Sequence, residues 1–161
     1  MSKKLVLYFS VYESTKKLAE DIAKEAGADI VEIIPEIPYD SDRSHYSLLA
    51  KLAKREHDED ARPKIANSLP IADYDTIFVG YPMWWYTFPM IIYTLFDEYD
   101  FAGKTVIPFN THMGSRDGGT YKTVKELAKG AIVKEGMPVE MTAAESGQSE
   151  NIKKGLAKIG V

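Results

Sequence analysis

Residues 4–27 read KLVLYFSVYESTKKLAEDIAKEAG, and the period of the apolar positions changes half-way along. Residues 4–10 are a short apolar run rich in β-formers, as a strand covered on both faces requires. Ser14 or Thr15 can then cap a helix in which Leu18, Ala19, Ile22, Ala23 and Ala26 recur at helical spacing, with Gly27 as the stop. A buried strand passing directly into an amphipathic helix is the first half of a parallel crossover.

The same alternation continues outward. Residues 29–34 form a second strand, closed by Pro35 and Pro38. Within residues 41–60, Tyr46, Leu49, Leu52 and Ala53 share one helical face, and the charge run 55–60 reads as its solvated end. Residues 62–74 carry Pro63 and Pro70 and read as an irregular connection, followed by a third strand over 76–80. Ile91, Ile92, Leu95 and Phe96 mark the next helix, Lys104 to Asn110 a fourth strand, and residues 120–129 another helix. A weak last strand falls within residues 131–141, interrupted by Gly136 and Pro138, and Ser149 can cap a final helix over 150–159. About five alternations predict an α/β domain with a parallel sheet, helices on both faces and right-handed crossovers. Ligands of such sheets bind beyond the carboxyl ends of the strands, so chemistry is expected in the loops after strands one, three and four.

The whole-chain inventory narrows the function. At 161 residues one core is efficiently filled, with roughly 70% of the extended chain's surface buried, so one domain is expected. Twenty Lys+Arg against 24 Asp+Glu leave a mildly acidic chain, which argues against nucleic acid or an anionic membrane surface as the main partner. The absence of cysteine excludes disulfides, zinc ribbons, cluster ligation and a thiol nucleophile, so redox chemistry needs a bound cofactor. His45, His57 and His112 lack ligand spacing, and no metal is expected. Met-Ser-Lys-Lys runs into only five or six apolar residues, short of a signal peptide, and a cytoplasmic location is expected.

Three loops carry the candidate chemistry. The first joins a buried strand to a helix N-terminus, where N–H groups and the helix dipole favour an anion, and the hydroxyls of Ser10, Ser14 and Thr15 suit a phosphate. The second, residues 80–89, holds both tryptophans of the chain in Tyr-Pro-Met-Trp-Trp-Tyr, a composition suited to a flat π-system. The third, residues 110–120, has three glycines that permit close backbone approach to the polar edge of a ring. Within it, His112 reads as bonded inside its own loop.

With these motifs the chain resembles the flavodoxin family along essentially its whole length. The likeness rests on Leu-Val-Leu-Tyr-Phe-Ser with its hydroxyl loop, on Phe-Val-Gly-Tyr-Pro-Met-Trp-Trp, and on Lys-Thr-Val-Ile-Pro-Phe-Asn-Thr-His with the glycines after it. The resemblance implies a flavodoxin-like five-stranded parallel sheet of order 2-1-3-4-5 and FMN as cofactor. It assigns the phosphate to Ser10, Tyr12, Ser14, Thr15 and Lys16. Ring contacts fall to Pro82, Met83, Trp84, Trp85 and Tyr86 and to Thr111, His112, Met113 and Gly114. One departure stands out: Tyr12-Glu13-Ser14-Thr15 replaces the Thr-Gly-Asn-Thr common in the family. Glu13 is therefore expected to face solvent and Tyr12 to arch over the loop.

The implied function is a low-potential one-electron carrier, a monomer that meets redox partner proteins. An apolar aromatic pocket disfavours the doubly reduced anion of the ring, which lowers the second potential. Residues 36–103 hold 12 acidic and 6 basic residues, a bias that can steer a basic partner. The alternative is an NAD(P)H-dependent reductase of quinones or other small acceptors, with Tyr86, Phe88, His112 and Arg116 lining a second pocket. A phosphoacceptor domain is disfavoured by Phe9-Ser10 and Gly80-Tyr81 where it would carry acids. A dinucleotide dehydrogenase and a serine hydrolase lack their motifs.

Overall fold

The computed structural model describes residues 3–161. In chain order the elements are β1 (Lys4–Tyr8), α1 (Glu13–Ala26), β2 (Asp29–Glu32), α2 (Tyr46–Asp58), β3 (Thr76–Pro82), α3 (Met90–Glu98), β4 (Thr105–His112), α4 (Thr120–Leu127), β5 (Ile132–Val133), β6 (Met137–Glu140), α5 (Met141–Ser146) and α6 (Ser149–Ile159). The sheet is parallel, in the order β2-β1-β3-β4-β5, with β6 also paired to β4.

The central strands are apolar on both faces because each face has its own core. Leu5, Leu7, Ile77, Val79 and Val106 point into one layer, packed by Ile91, Ile92 and Leu95 of α3 and Val124 of α4. Val6, Phe78, Ile107 and Phe109 point into the other, against Leu18 and Ile22 of α1 and Ile152 and Leu156 of α6. This two-faced burial explains why the strand pattern is a continuous apolar run rather than an alternation. At the sheet edge β2 is largely exposed, with Ile30 at 40%, and Asp29 and Glu32 place charge on that edge.

Several boundaries differ from the sequence reading for physical reasons. β1 ends at Tyr8 because the chain turns at Ser10, whose hydroxyl donates to the Tyr12 carbonyl. α1 begins at Glu13 with Tyr12 as its N-cap, so neither Ser14 nor Thr15 caps it. Ser149 likewise lies within α6 rather than capping it. The weak last strand is two strands, both on β4, divided at Gly136, where a Cβ would lie 2.6 Å from the Pro108 carbonyl. The short helix α5 was not legible: Glu140 caps it by accepting from Thr142 N and Ala143 N, each at 3.2 Å.

Gly80 fixes how β3 and β4 approach. It pairs with Phe109, whose ring covers it so closely that an added Cβ would lie 2.0 Å from Cζ. Gly80→Ala is therefore expected to lower stability by about 1–3 kcal/mol or more through overpacking. Urea unfolding checks this, and an unchanged midpoint would contradict the role given to the close approach.

Candidate functional site

The carboxyl ends of β1, β3 and β4 project the three loops from one edge of the sheet, and Thr111 ties them together. It is 1% exposed. Its carbonyl accepts from Met83 N of the second loop at 3.0 Å, and its hydroxyl pairs with Thr15 Oγ1 of the first at 2.7 Å. The β3–β4 register, Pro82 opposite Thr111, sets this junction.

Loop one presents the α1 N-terminus without a side-chain cap. Ser14 and Thr15 are buried in its first turn, while Glu13 and Lys16 are exposed. Tyr12 lies beneath Arg43, whose guanidinium carbon is 5.2 Å from the ring centroid. The Tyr12 hydroxyl is buried with no hydrogen-bond partner among the described residues. An uncapped helix end beside an orphaned hydroxyl fits an anionic oxygen group.

Loop two is a tight turn. Trp84 N donates to Thr87 O at 2.8 Å and Thr87 N to Trp84 O at 3.1 Å, leaving Trp85 and Tyr86 as central residues with φ of 53° and 60°. This geometry normally selects Asn or Gly, so two large side chains here mark a strained turn held by its surroundings. Two contacts hold it. The Trp85 indole N–H donates to the Ala50 carbonyl of α2 at 2.8 Å. The Trp84 ring packs edge-on against Phe9 at 5.5 Å and Tyr39 at 5.3 Å. Tyr39 in turn donates to Glu56 of α2 at 2.7 Å, and burial raises the pKa of its hydroxyl.

Loop three is stitched internally: Asn110 Nδ2 donates to the Arg116 carbonyl at 2.8 Å, and Gly114 N donates to His112 Nδ1 at 3.0 Å. Gly118 lets this loop abut the second, since a Cβ there would lie 2.5 Å from Met83 Cε and 2.9 Å from the Tyr86 carbonyl. Its φ of 56° adds a second reason for glycine. Met113 at 77% exposure and Tyr86 at 78% leave an apolar rim open beside the junction.

The residues named from sequence thus divide. Thr15, Pro82, Met83 and Thr111 meet directly at the junction. Ser10, Tyr12 and Ser14 flank it on loop one, and Lys16 lies outward on α1. Trp84 is turned inward, Trp85 lies against α2, and Tyr86, Met113 and Gly114 remain on the rim. Phe88, offered for a second pocket, is 1% exposed and packs on Tyr81 and Tyr93, so it belongs to the core. Phe9, Tyr39 and Arg43 escaped the sequence reading because only the fold brings them to the loops. Two clefts, of about 410 Å³ between β6 and α6 and about 610 Å³ between residues 35–39 and α2, are lined by none of the three loops. No cluster of His, Cys, Asp and Glu suited to a metal occurs among the described residues. Nor is any described helix long and apolar enough to cross a membrane.

A family model for flavodoxin matches residues 3–155, nearly the whole chain. The chain belongs to the flavodoxin family. Among solved structures similar to this flavodoxin-family member is a candidate flavoprotein from Bacteroides eggerthii DSM 20697, 32% identical, with 100% of this chain and 99% of that one covered and a TM-score of 0.87. Another from Bacteroides uniformis ATCC 8492 is 30% identical over 97% of this chain and 98% of that one, with a TM-score of 0.84. A flavoprotein from Lactobacillus acidophilus NCFM, solved in complex with FMN, is 26% identical over 86% and 93% of the two chains, with a TM-score of 0.70. No curated protein matches the sequence.

Two measurements test the geometry of this flavodoxin-family site. Thr15→Val and Thr111→Val are each expected to cost about 1–3 kcal/mol by leaving one buried hydroxyl unpaired, and the double variant less than their sum. Strict additivity in urea unfolding would show that the two hydroxyls do not interact. Desolvation, aided by Arg116 and opposed by Glu140, lowers the pKa of His112 below its ordinary 6.5. The unfolded chain then binds the extra proton first, so stability falls as pH drops through about 6.5. His112→Gln is expected to flatten that slope, and an identical slope in both proteins would remove the assignment.

Proposed function

We propose that this protein binds FMN across the three loops and serves as an electron carrier between protein partners. The observation that carries the reading is the convergence at Thr111 of an uncapped helix N-terminus, an aromatic turn and a glycine-rich loop. The relative crystallised with FMN supports the choice of ligand.

The residues fit the group. Backbone N–H groups at the start of α1, with Ser10, Tyr12, Ser14, Thr15 and Lys16, receive the phosphate, where the helix dipole favours negative charge. Pro82, Met83, Trp85 and Tyr86 of the second loop and Thr111, His112, Met113 and Gly114 of the third would hold the ring. Trp84 shapes the turn from beneath through Phe9 and Tyr39. FMN, when bound, supplies the redox chemistry that this cysteine-free chain has no group of its own to perform. The protein orients the ring, excludes water along its apolar side, and offers His112 with Nδ1 already accepting from Gly114, which leaves the proton of the neutral ring on Nε2. The acidic bias of residues 36–103 steers a basic protein partner toward a monomeric carrier in the cytoplasm.

Saturating FMN is expected to quench tryptophan emission and to give flavin absorbance that travels with the protein through gel filtration. Redox titration should then give two potentials further apart than in free FMN. Coincident potentials, or catalytic oxidation of NAD(P)H by a quinone without a separate reductase, would replace the carrier with the small-acceptor reductase.

A further inference from the structure

We propose that Arg43, which lies outside the three loops, supplies the cation that holds the ligand's phosphate at the start of α1; the role rests on the FMN reading above. Arg43 begins the single helical turn Arg43–His45 that leads into α2, set by Asp42 accepting from Ser44 N at 2.9 Å. Its guanidinium lies over the ring of Tyr12, the residue that caps α1, and its Nη2 donates to Glu145 Oε1 of α5 at 2.8 Å. The pair therefore spans from the α2 entrance to α5 across the mouth of loop one.

Charge at this mouth favours a cation there. Glu13 sits exposed in the first turn of α1. Asp40 and Asp42 lie near enough to Tyr12 to act on its hydroxyl, with His45 bonded to Asp40 at 2.6 Å and 4.0 Å from Asp42. A phosphate dianion arriving at the helix end meets these three carboxylates, and the helix terminus offsets only about half an elementary charge. Lys16, exposed in the second residue pair of the helix, is the other nearby cation on loop one. Arg43 stands over the Tyr12 ring, is 55% exposed, and commits Nη2 to Glu145. The remaining donors match phosphate oxygens, for which the planar guanidinium is suited. The ring beneath it carries the Tyr12 hydroxyl, which is buried and unpartnered among the described residues.

The test titrates the full-length protein with FMN and with riboflavin, which has the same ring but no phosphate, following tryptophan emission. Arg43→Gln and Arg43→Ala are expected to weaken FMN binding about 10-fold or more, the worth of a charge-assisted hydrogen bond, and to leave riboflavin binding unchanged. Retained riboflavin binding reports that the variants fold. Glu145→Gln releases the arginine and is expected to keep or tighten FMN binding. FMN affinity should fall with added salt more steeply in the unaltered protein than in Arg43→Gln. Equal FMN affinity in the arginine variants overturns the inference. So does an equal loss for FMN and riboflavin, or a Glu145→Gln loss as large as that of Arg43→Gln, each of which makes the pair a structural strap. An unaltered protein that binds neither compound overturns the FMN reading itself, an outcome separate from any ratio between variants.

Discussion

The site depends on the buried hydrogen bonding of Thr111. The register of two parallel strands carries this residue to the place where the first loop passes, and its side chain and backbone are used in different directions. Either partner hydroxyl left alone would be desolvated without compensation, so the pair acts as a distance constraint between the start of α1 and the end of β4. Gly80 makes the constraint attainable, since the Phe109 ring occupies the space a side chain would need on β3. Loop one, loop two and loop three are thus placed by the sheet and tied to one another by the hydrogen bonds of Thr111.

Loop two needs additional support because its backbone is unfavourable. Trp85 and Tyr86 in left-handed conformation cost about 1–3 kcal/mol each, against which the turn itself sets only the two hydrogen bonds between Trp84 and Thr87. The offset comes from α2, through the indole donor on Ala50 and through Tyr39 bonded to Glu56. The crossover between β2 and β3 is consequently part of the site. Its helix carries exposed Tyr46 and Leu48 and buries only Leu49 and Ala53, so much of what holds it is the same aromatic cluster that it supports. Loop geometry and helix position are coupled by this reciprocity.

The central strands and α1 to α4 were legible because burial on both sheet faces writes itself as apolar runs and as helical spacing in sequence. The three loops were legible for the same reason: each follows a strand of that kind. What escaped was set by contacts distant in sequence. Residues 131–141 hold strands of two and four residues, divided at Gly136 and with Pro138 inside the second, too short to show a period, and Glu140 caps α5 with a side chain whose role depends on its place at a strand end. Phe88 reads as a loop aromatic, yet it is buried because the turn before it folds back and returns the chain to the core. Tyr39 and Arg43 lie between Pro38 and the apolar face of α2, in a polar stretch with no periodic pattern to show which residues it meets.

The aromatic richness that singles out loop two serves three separate ends. Trp84 is consumed by packing with Phe9 and Tyr39, and Trp85 spends its one donor on α2 while keeping 45% of its surface open. Tyr86 is the most exposed of the three, at 78%, and Met113 of loop three is exposed to a similar degree. The rim therefore combines an adaptable thioether and an exposed phenol with a tryptophan whose indole cannot turn without breaking the bond that relieves the turn. Rigidity beneath and exposure above follow from the same backbone strain: a turn that needs external anchors uses its first two aromatic side chains to secure them, and the third is left the most open to solvent.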